Sequence, residues 1–467
     1  MRLQALSDAL NPLSPLANLS LSSSPHRVLV VGCAYGGLSA VVNLLDYEKG
    51  KARQSVYPGP DFKGAKSRNG IEITVIDERD GYFHSVGAPL AHVAPKHTTA
   101  MWKRFEKLKE LRQPNLHFKH GSVRKVDPES KVAEWLDRHG TTQHQAYDYL
   151  VMATGLKRHW PAVPKAGSYE EYLKDGKGFI AKIVGGDPSH PQAGRRVVII
   201  GAGAVGVEFA GEIKNYYPCI DVTLVHSRAR VLSSEPLPAE VKDQAKRILE
   251  EEGVHVVLGQ RASVAELPSG QFAITLASGD TLAADFVIDS TKKGIPTTDV
   301  LPTECLNADK EILVHPTLSF NASIPNASSH YGVGDVVAWS GIKRAGSAMV
   351  MGQAAAQNIY ASILNSEALP TATTDLTPSY PLTELPSWPA VIGLAVGKQC
   401  LLWDKTNGMK WGVEVMQAYF QDDLGWARNL AFMGLTDVVE GERAEENEAA
   451  EGVKMGEVGV EVVSAAA

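Results

Sequence analysis

Along residues 27–42 the chain passes from an unbroken apolar run (28–31) through a turn containing Gly32, Gly36 and Gly37 into an apolar stripe at Leu38, Val41 and Val42. The run has strand length and the stripe has helical spacing, so the pattern predicts a buried strand, a glycine turn and a helix N-terminus. Residues 196–213 repeat it, with four apolar residues at 197–200 followed by Gly201, Gly203 and Gly206. Further buried strands are expected at 71–76, 149–155, 221–225 and 285–294, short strands at 115–136 around Gly121 and Asp127, and a helix at 348–363. Continuous apolar strands alternating with helical stripes predict an α/β fold of two Rossmann-like units built on parallel sheets.

Each glycine unit is a candidate pyrophosphate site. The turn brings backbone N–H groups to the phosphates, and the helix dipole favours their charge. Against G-x-G-x-x-G the first unit reads Gly32, Ala34, Gly37, with alanine at the place of closest approach; the second reads Gly201, Gly203, Gly206. Two such units in one chain suggest two nucleotides facing each other, the arrangement a flavin and a nicotinamide need for hydride transfer.

The strand ends carry the next signals. Asp77 suits adenosine ribose hydroxyls but stands 45 residues beyond Gly32, where roughly 20 is usual. An insert at 47–70, with six basic and two acidic residues, accounts for the excess. It is read as a solvated loop away from the cofactor, with a partner contact as the alternative. The strand at 221–225 ends not in an acid but in His226-Ser227-Arg228-Ala229-Arg230. Arginines attract a 2′-phosphate that an acid would repel, so NADP(H) is favoured with NAD(H) tolerated, a solvated turn being the other reading. Gly334 frees the backbone for close approach and Asp335 can accept from ribityl hydroxyls, unless the pair is a plain turn. Lys343 and Arg344 either face the flavin pyrimidine or lie in a surface loop. Residues 416–435 carry apolar positions at helical spacing, read as core packing, with a flavin cover, a dimer face and a membrane contact as alternatives.

Composition narrows the class. At 467 residues, two or three domains are expected, divided as a flexible leader 1–25, a first nucleotide domain 26–160 resumed at 295–375, a second at 161–294, a small α/β region 376–436 and an acidic disordered tail 437–467. Nine acidic and two basic residues from Asp437 onward account for the whole net charge of −7. The body is therefore neutral, without the basic footprint of a nucleic-acid binder. No apolar run reaches the roughly 18 residues of a membrane span, and Lys398 interrupts the longest candidate at 390–403. Cys33, Cys219, Cys305 and Cys400 form neither a C-x-x-C nor a metal-ligand spacing, so no metal is expected and a reducing compartment is. A cytoplasmic location is expected, with a mitochondrial one as the alternative. Arg2 excludes N-myristoylation.

In this order, GCAYGG, Asp77 of VID, VMATG, GAGAVGVE, STKKG and YGVGD resemble the two-dinucleotide-binding-domain flavoproteins. Within them the chain is similar to the apoptosis-inducing-factor-like and ferroptosis-suppressor-protein group of NAD(P)H:quinone oxidoreductases, over roughly residues 27–400. The resemblance implies FAD held by Gly32, Gly36, Gly37 and Asp77, with the strand at 121–123 (Val123) passing the adenine. Thr154 and Gly155 would close that site and Asp335 hold the ribityl chain. It implies a nicotinamide dinucleotide, NADPH or NADH, on Gly201, Gly203, Gly206 and His226 to Arg228. Glu208 matches the family glutamate near the nicotinamide; it equally suits a first-turn acid complementing the helix dipole. Glu208 and Lys343 are thus the candidate catalytic residues. The cysteine pair of the disulfide reductases is missing, which argues against thiol–disulfide exchange. The expected activity is a flavoprotein oxidoreductase passing a hydride from NAD(P)H to flavin and on to a quinone-like small molecule. The rivals are a reductase for a ferredoxin-like protein and a nucleotide-dependent redox sensor or scaffold. Peripheral membrane contact and oligomeric state stay open.

Overall fold

The computed structural model describes residues 24–51, 53, 55–368 and 380–435. The leader up to residue 23 and the acidic tail lie outside the described residues. The chain opens with β1 (His26–Val31), α1 (Tyr35–Glu48) and β2 (Ile71–Asp77), followed by β3 (Leu116–Asp127), β4 (Val132–Asp137), β5 (Thr142–Ala146) and β6 (Tyr149–Met152). β1 lies between β2 and β6 in parallel register, Val28 opposite both Ile73 and Tyr149. The valines and leucine of β1 are buried, with α1 packed against the strand and β5 curling back to meet it. The strands expected as short pieces around Gly121 include one twelve-residue strand. The first half of β3 pairs parallel with β2 and its second half pairs antiparallel with β4, bending at a bulge between Val123 and Lys125.

A second sheet follows α2 (Tyr169–Val184): β7 (Arg196–Ile200), α3 (Ala204–Tyr216), β8 (Asp221–Val225), α4 (Ala239–Glu251) and β9 (His255–Val257). An antiparallel meander, β10 (Ala262–Glu266), β11 (Phe272–Leu276) and β12 (Thr281–Ala284), leads into β13 (Phe286–Asp289). The order is β9-β8-β7-β13, all parallel. Leu156–Lys157 leaving the first sheet pairs antiparallel with Ile295–Pro296 returning to it. The first sheet is completed by β14 (His330–Gly332), giving β14-β6-β1-β2-β3-β4-β5, and α5 (Ala345–Glu367) packs on α1. Strand order reverses direction at β1, so the crevice beyond its carboxyl end is the expected ligand position. α5 crosses α1 at Gly352, where a Cβ would strike the Gly36 carbonyl.

The insert is not a solvated loop. Phe62 is buried edge-on against Tyr47 and Tyr360. The Glu367 carboxylate accepts from Ser67 Oγ (2.7 Å) and the Arg68 and Asn69 amides, and it pairs with His26 Nε2 at 2.9 Å. One carboxylate therefore fastens the insert to the end of α5 and the start of β1.

The C-terminal region is a meander of β15 (Val391–Val396), β16 (Gln399–Asp404) and β17 (Gly408–Gly412), followed by α6 (Val413–Tyr419) and α7 (Trp426–Met433). The helix expected through 416–435 is broken in two. Gly425 takes φ +80°, and Asp423 accepts from the Gly425, Trp426 and Ala427 amides to start α7. Phe420, Leu424 and Trp426 are buried, so core packing is the role the structure shows for this segment. Among the described residues no helix is long and apolar enough to cross a membrane.

Candidate functional site

The two glycine turns share one construction. Gly32 and Gly201 leave their strands at φ +86° and +105°, a left-handed backbone that glycine adopts without strain. A Cβ on Gly37 would fall on the Gly32 carbonyl oxygen, and a Cβ on Gly206 on that of Gly201. The third glycine of each unit therefore lets the helix close onto its strand. At the second position Gly203 faces open space, while Ala34 carries its methyl at the equivalent place in the first turn. Gly36 does different work: its missing side chain is filled by Val333 and the Ala348 carbonyl, so it serves the crossing with α5. Among the described residues, the amides of Tyr35, Gly36 and Gly37, and those of Ala204, Val205 and Gly206, have no protein acceptor. Two helices of 14 and 13 residues thus each present three free N–H groups. The pair fits two dinucleotide diphosphates.

At the end of β2, Asp77 Oδ2 accepts from the Cys33 amide at 2.5 Å and Oδ1 from the Arg79 amide at 2.8 Å. Burial raises its pKa, against the pull of Arg79 and these bonds. His226 occupies the same station at the end of β8: Nδ1 accepts from the Ala202 amide at 3.2 Å. Since Nδ1 is an acceptor, the proton is on Nε2, which donates to Ser233 Oγ at 2.9 Å. Burial and Arg228 both lower the His226 pKa, which favours this neutral form.

Gly32, Asp77, Thr154, Gly155, Gly334 and Asp335 gather at the carboxyl ends of the parallel strands of the first sheet. Thr154 Oγ1 donates to the Thr297 carbonyl at 3.3 Å, and Thr297 Oγ1 to that of Gly155 at 3.0 Å, pinning the two crossover segments together. Val123 stands three residues past His120, the partner of Asp77, at the bulge of β3. Gly334 has φ +77° and lies against Ala348 at the head of α5. Asp335 pairs with Arg158 at 3.0 Å. Arg158 went unnoticed in the sequence, although it follows the ATG turn by three positions.

Lys343 is placed otherwise than expected. Its ammonium donates to the carbonyls of Asp335 and Val337 and lies 2.6 Å from Glu311 Oε1. Three donors meet three acceptors, so none is left for a flavin, and the residue anchors the Gly334–Asp335 turn. Lys343→Met is expected to lower stability by about 2 kcal/mol through the charge-assisted bonds it loses. Lower Tm and faster flavin loss on dialysis would report it; unchanged Tm would return Lys343 to the catalytic list.

Glu208 lies on the first turns of α3 and is 9% exposed; Glu212, one turn on, is 2% exposed. Burial raises both carboxyls to about 8, with Glu212 adding to the rise at Glu208 and Glu252 to that at Glu212. Arg158 pulls the Glu208 pKa down, so one guanidinium acts on the acids of both nucleotide units. Glu212 was legible only as i+4 from Glu208. Nothing local announces the third feature missed: Tyr35 accepts from the Val86 amide and donates to His84 Nδ1, whose Nε2 donates to the Leu424 carbonyl. This buried chain ties the helix after the first turn to the C-terminal helices. Among the described residues no His, Cys, Asp and Glu group is placed to hold a metal ion.

Comparison with known proteins gives the same picture. The family model described as pyridine nucleotide-disulphide oxidoreductase matches residues 26–352. Oxidoreductase OXR1 of Ajellomyces capsulatus is 39% identical over 425 residues, 87% of this chain and 88% of that protein. Human ferroptosis suppressor protein 1 is 26% identical over 278 residues, and the chain spans 64% of its length. NDH2 of Plasmodium falciparum, solved with NADH, superposes with a TM-score of 0.60 at 13% identity, covering 87% of this chain and 97% of that one. At that identity the likeness shows the fold alone. With a family model matching most of its length and a relative aligned nearly end to end, the chain belongs to the pyridine nucleotide-disulphide oxidoreductase family, and FAD and NADPH or NADH are its cofactors.

Proposed function

We propose that the chain is an NAD(P)H:quinone oxidoreductase. The observation that carries this is the pairing of two anion-ready glycine turns across a crossover in which Arg158 meets Asp335 and acts on Glu208. Gly32 to Gly37, Asp77, Thr154, Gly155 and Asp335 would hold FAD; Gly201 to Gly206, His226 and Arg228 would hold the nicotinamide dinucleotide. When bound, this pair supplies hydride transfer from nicotinamide to flavin and electron delivery to an acceptor. The protein's own part is alignment and exclusion of water. Glu208, with a pKa of about 8, holds a proton at neutral pH beside the place expected for the nicotinamide. Cys33, Cys305 and Cys400 are buried and unpaired, and Cys219 is exposed and alone. No thiol pair is therefore available to relay electrons, and a small diffusible acceptor fits better than a disulfide. The quinone itself is inferred from the motif resemblance.

The test is an anaerobic visible spectrum of the purified protein before and after NADPH or NADH, then after a short-chain quinone. Yellow protein that bleaches and regains colour with quinone is expected. Protein that bleaches but regains colour only with a small iron–sulfur protein, increasingly slowly as salt is added, would replace the quinone with a protein acceptor.

A further inference from the structure

While Phe62 and Ser67 fasten the insert to the core, its outer side is basic. Lys49 and Lys51 flank Gly50 (φ +72°), and Lys63 and Lys66 stand either side of the turn at Gly64 (φ +73°). The two turns lie back to back: a Cβ on Gly50 would stand 3.1 Å from the Gly64 carbonyl oxygen and 3.2 Å from Lys66 Cε. Asp61 Oδ1 accepts from the Lys63 amide at 2.9 Å and holds the second turn. Lys49, Lys51, Lys63, Lys66 and Arg68 are exposed, and among the described residues none of them makes an ion pair. Two neighbouring carboxylates are already engaged, Asp46 with Arg53 at 2.7 Å and Glu367 in its clasp. Within the insert, five unpaired cations therefore stand against half-buried Glu48 and exposed Asp61.

The other end of the described chain arrives at the same place. Arg53 Nη1 donates to the Met433 carbonyl at the end of α7, and a Cβ on Gly434 would stand 3.2 Å from that nitrogen. Leu435, the last described residue, bonds back to the Leu430 carbonyl at 2.8 Å. The acidic segment thus departs from the edge of the basic face, and its first fifteen residues, 437–451, hold seven acids and one arginine. Fifteen residues reach up to about 50 Å, enough to cross that face from its edge. A single exposed ion pair is worth little. A tether of this length, however, holds the acids at an effective concentration on the order of millimolar, where several weak pairs act together.

We propose that the basic face of the insert is the docking surface for the chain's own acidic segment 437–451, paired within one molecule across the end of α1. The pairing joins insert, segment and α7 and keeps other polyanions off the lysines. It is independent of the cofactors and of the electron acceptor.

The experiment is zero-length carbodiimide coupling of the full-length, FAD-loaded protein, with the joined peptides identified by mass spectrometry. The reagent links a carboxylate to an amine only where the two touch. Glu440, Glu442, Glu445 and Glu446 should couple to Lys49, Lys51, Lys63 and Lys66 at least about fivefold more than to exposed Lys174 and Lys177. Raising the salt from about 20 mM to about 0.5 M should cut that yield about fivefold, because screening shortens the reach of exposed charges. In the combined variant Lys49→Gln, Lys51→Gln and Lys63→Gln, coupling at the untouched Lys66 should fall by a similar factor. Arginine at the same three positions keeps the charge and should restore it. An unchanged flavin spectrum shows that each variant is folded. Coupling spread evenly over the lysines overturns the proposal, as does coupling at Lys66 that ignores both salt and the glutamine substitutions. Mixing 15N-labelled with unlabelled protein separates the two sources of acid. Joined peptides of hybrid mass would give the surface to a second copy and overturn pairing within one molecule.

Discussion

Gly37→Ala is expected to purify colourless, and Gly206→Ala to purify yellow but resist bleaching by NADPH. The two substitutions add the same methyl at equivalent places, onto the carbonyl oxygen of Gly32 or of Gly201. Neither oxygen can step aside cheaply. Gly32 is fixed by the hydrogen bond its N–H donates to the Ile76 carbonyl (2.9 Å) and is backed by the Ala153 carbonyl; the Gly201 N–H donates to the Val225 carbonyl (2.8 Å), and Gly201 is backed by Ser290. The helix must therefore move away, and its three free N–H groups move with it. Overpacking of this kind costs about 1–3 kcal/mol or more, and displaced anion donors cost further binding. Flavin per protein should fall at least about tenfold in the first variant, and the NADPH reduction rate by a similar factor in the second. Wild-type flavin content in Gly37→Ala would refute the account of the third glycine.

The second large effect concerns pH. Glu208 and Glu212 titrate near 8 in the folded chain against an ordinary 4.5, so between these values the unfolded chain releases protons that the folded chain holds. Stability from this pair is complete below 4.5 and declines as pH rises to about 8, at up to about 1.4 kcal/mol per pH unit per group. Buried His84, His92 and His97 act in the opposite sense. Burial lowers each from 6.5 to about 4, so they add stability as pH rises across that lower window. From pH 6.5 to 8 the histidines are neutral in both states and the carboxyls act unopposed. Tm is therefore expected to peak near pH 6.5 and to fall by several degrees by pH 8. Glu212→Gln, which keeps the shape and removes the titration, should flatten that fall. A wild-type Tm that is level from pH 6.5 to 8 would contradict the buried acid pair.

Both glycine turns, the acid at Asp77 and its replacement at His226 were legible because each is written in consecutive residues. Strand, turn and helix succeed one another within about 15 positions, and period and glycine placement specify them. What escaped was set by distant partners. Lys343 has the charge of a catalytic candidate, but only the fold brings Glu311 and two carbonyls around it. Residues 416–435 keep helical spacing through a break decided by Asp423 and Gly425. The insert reads as polar, yet Phe62 finds Tyr360 nearly 300 positions away. Arg158 follows the ATG turn closely, but its meaning is the carboxylate 177 positions on.

The Glu367 clasp joins residues 341 positions apart in sequence, and that span sets an order of assembly. As the chain leaves the ribosome, β1 to β6 emerge first, but their sheet lacks its edge strand and the helix that covers α1. The second sheet is continuous in sequence, but its core also takes Ile392, Leu394, Val396 and Leu401 from β15 and β16, so it too waits for the C-terminal region. Only when β14 and α5 follow can the first unit bury its remaining apolar face, after a loop closure spanning an entire domain. The glycine turn nearest the N-terminus is thus synthesised first and covered only after the whole second sheet has emerged, and the nascent chain depends on protection of that face during the interval.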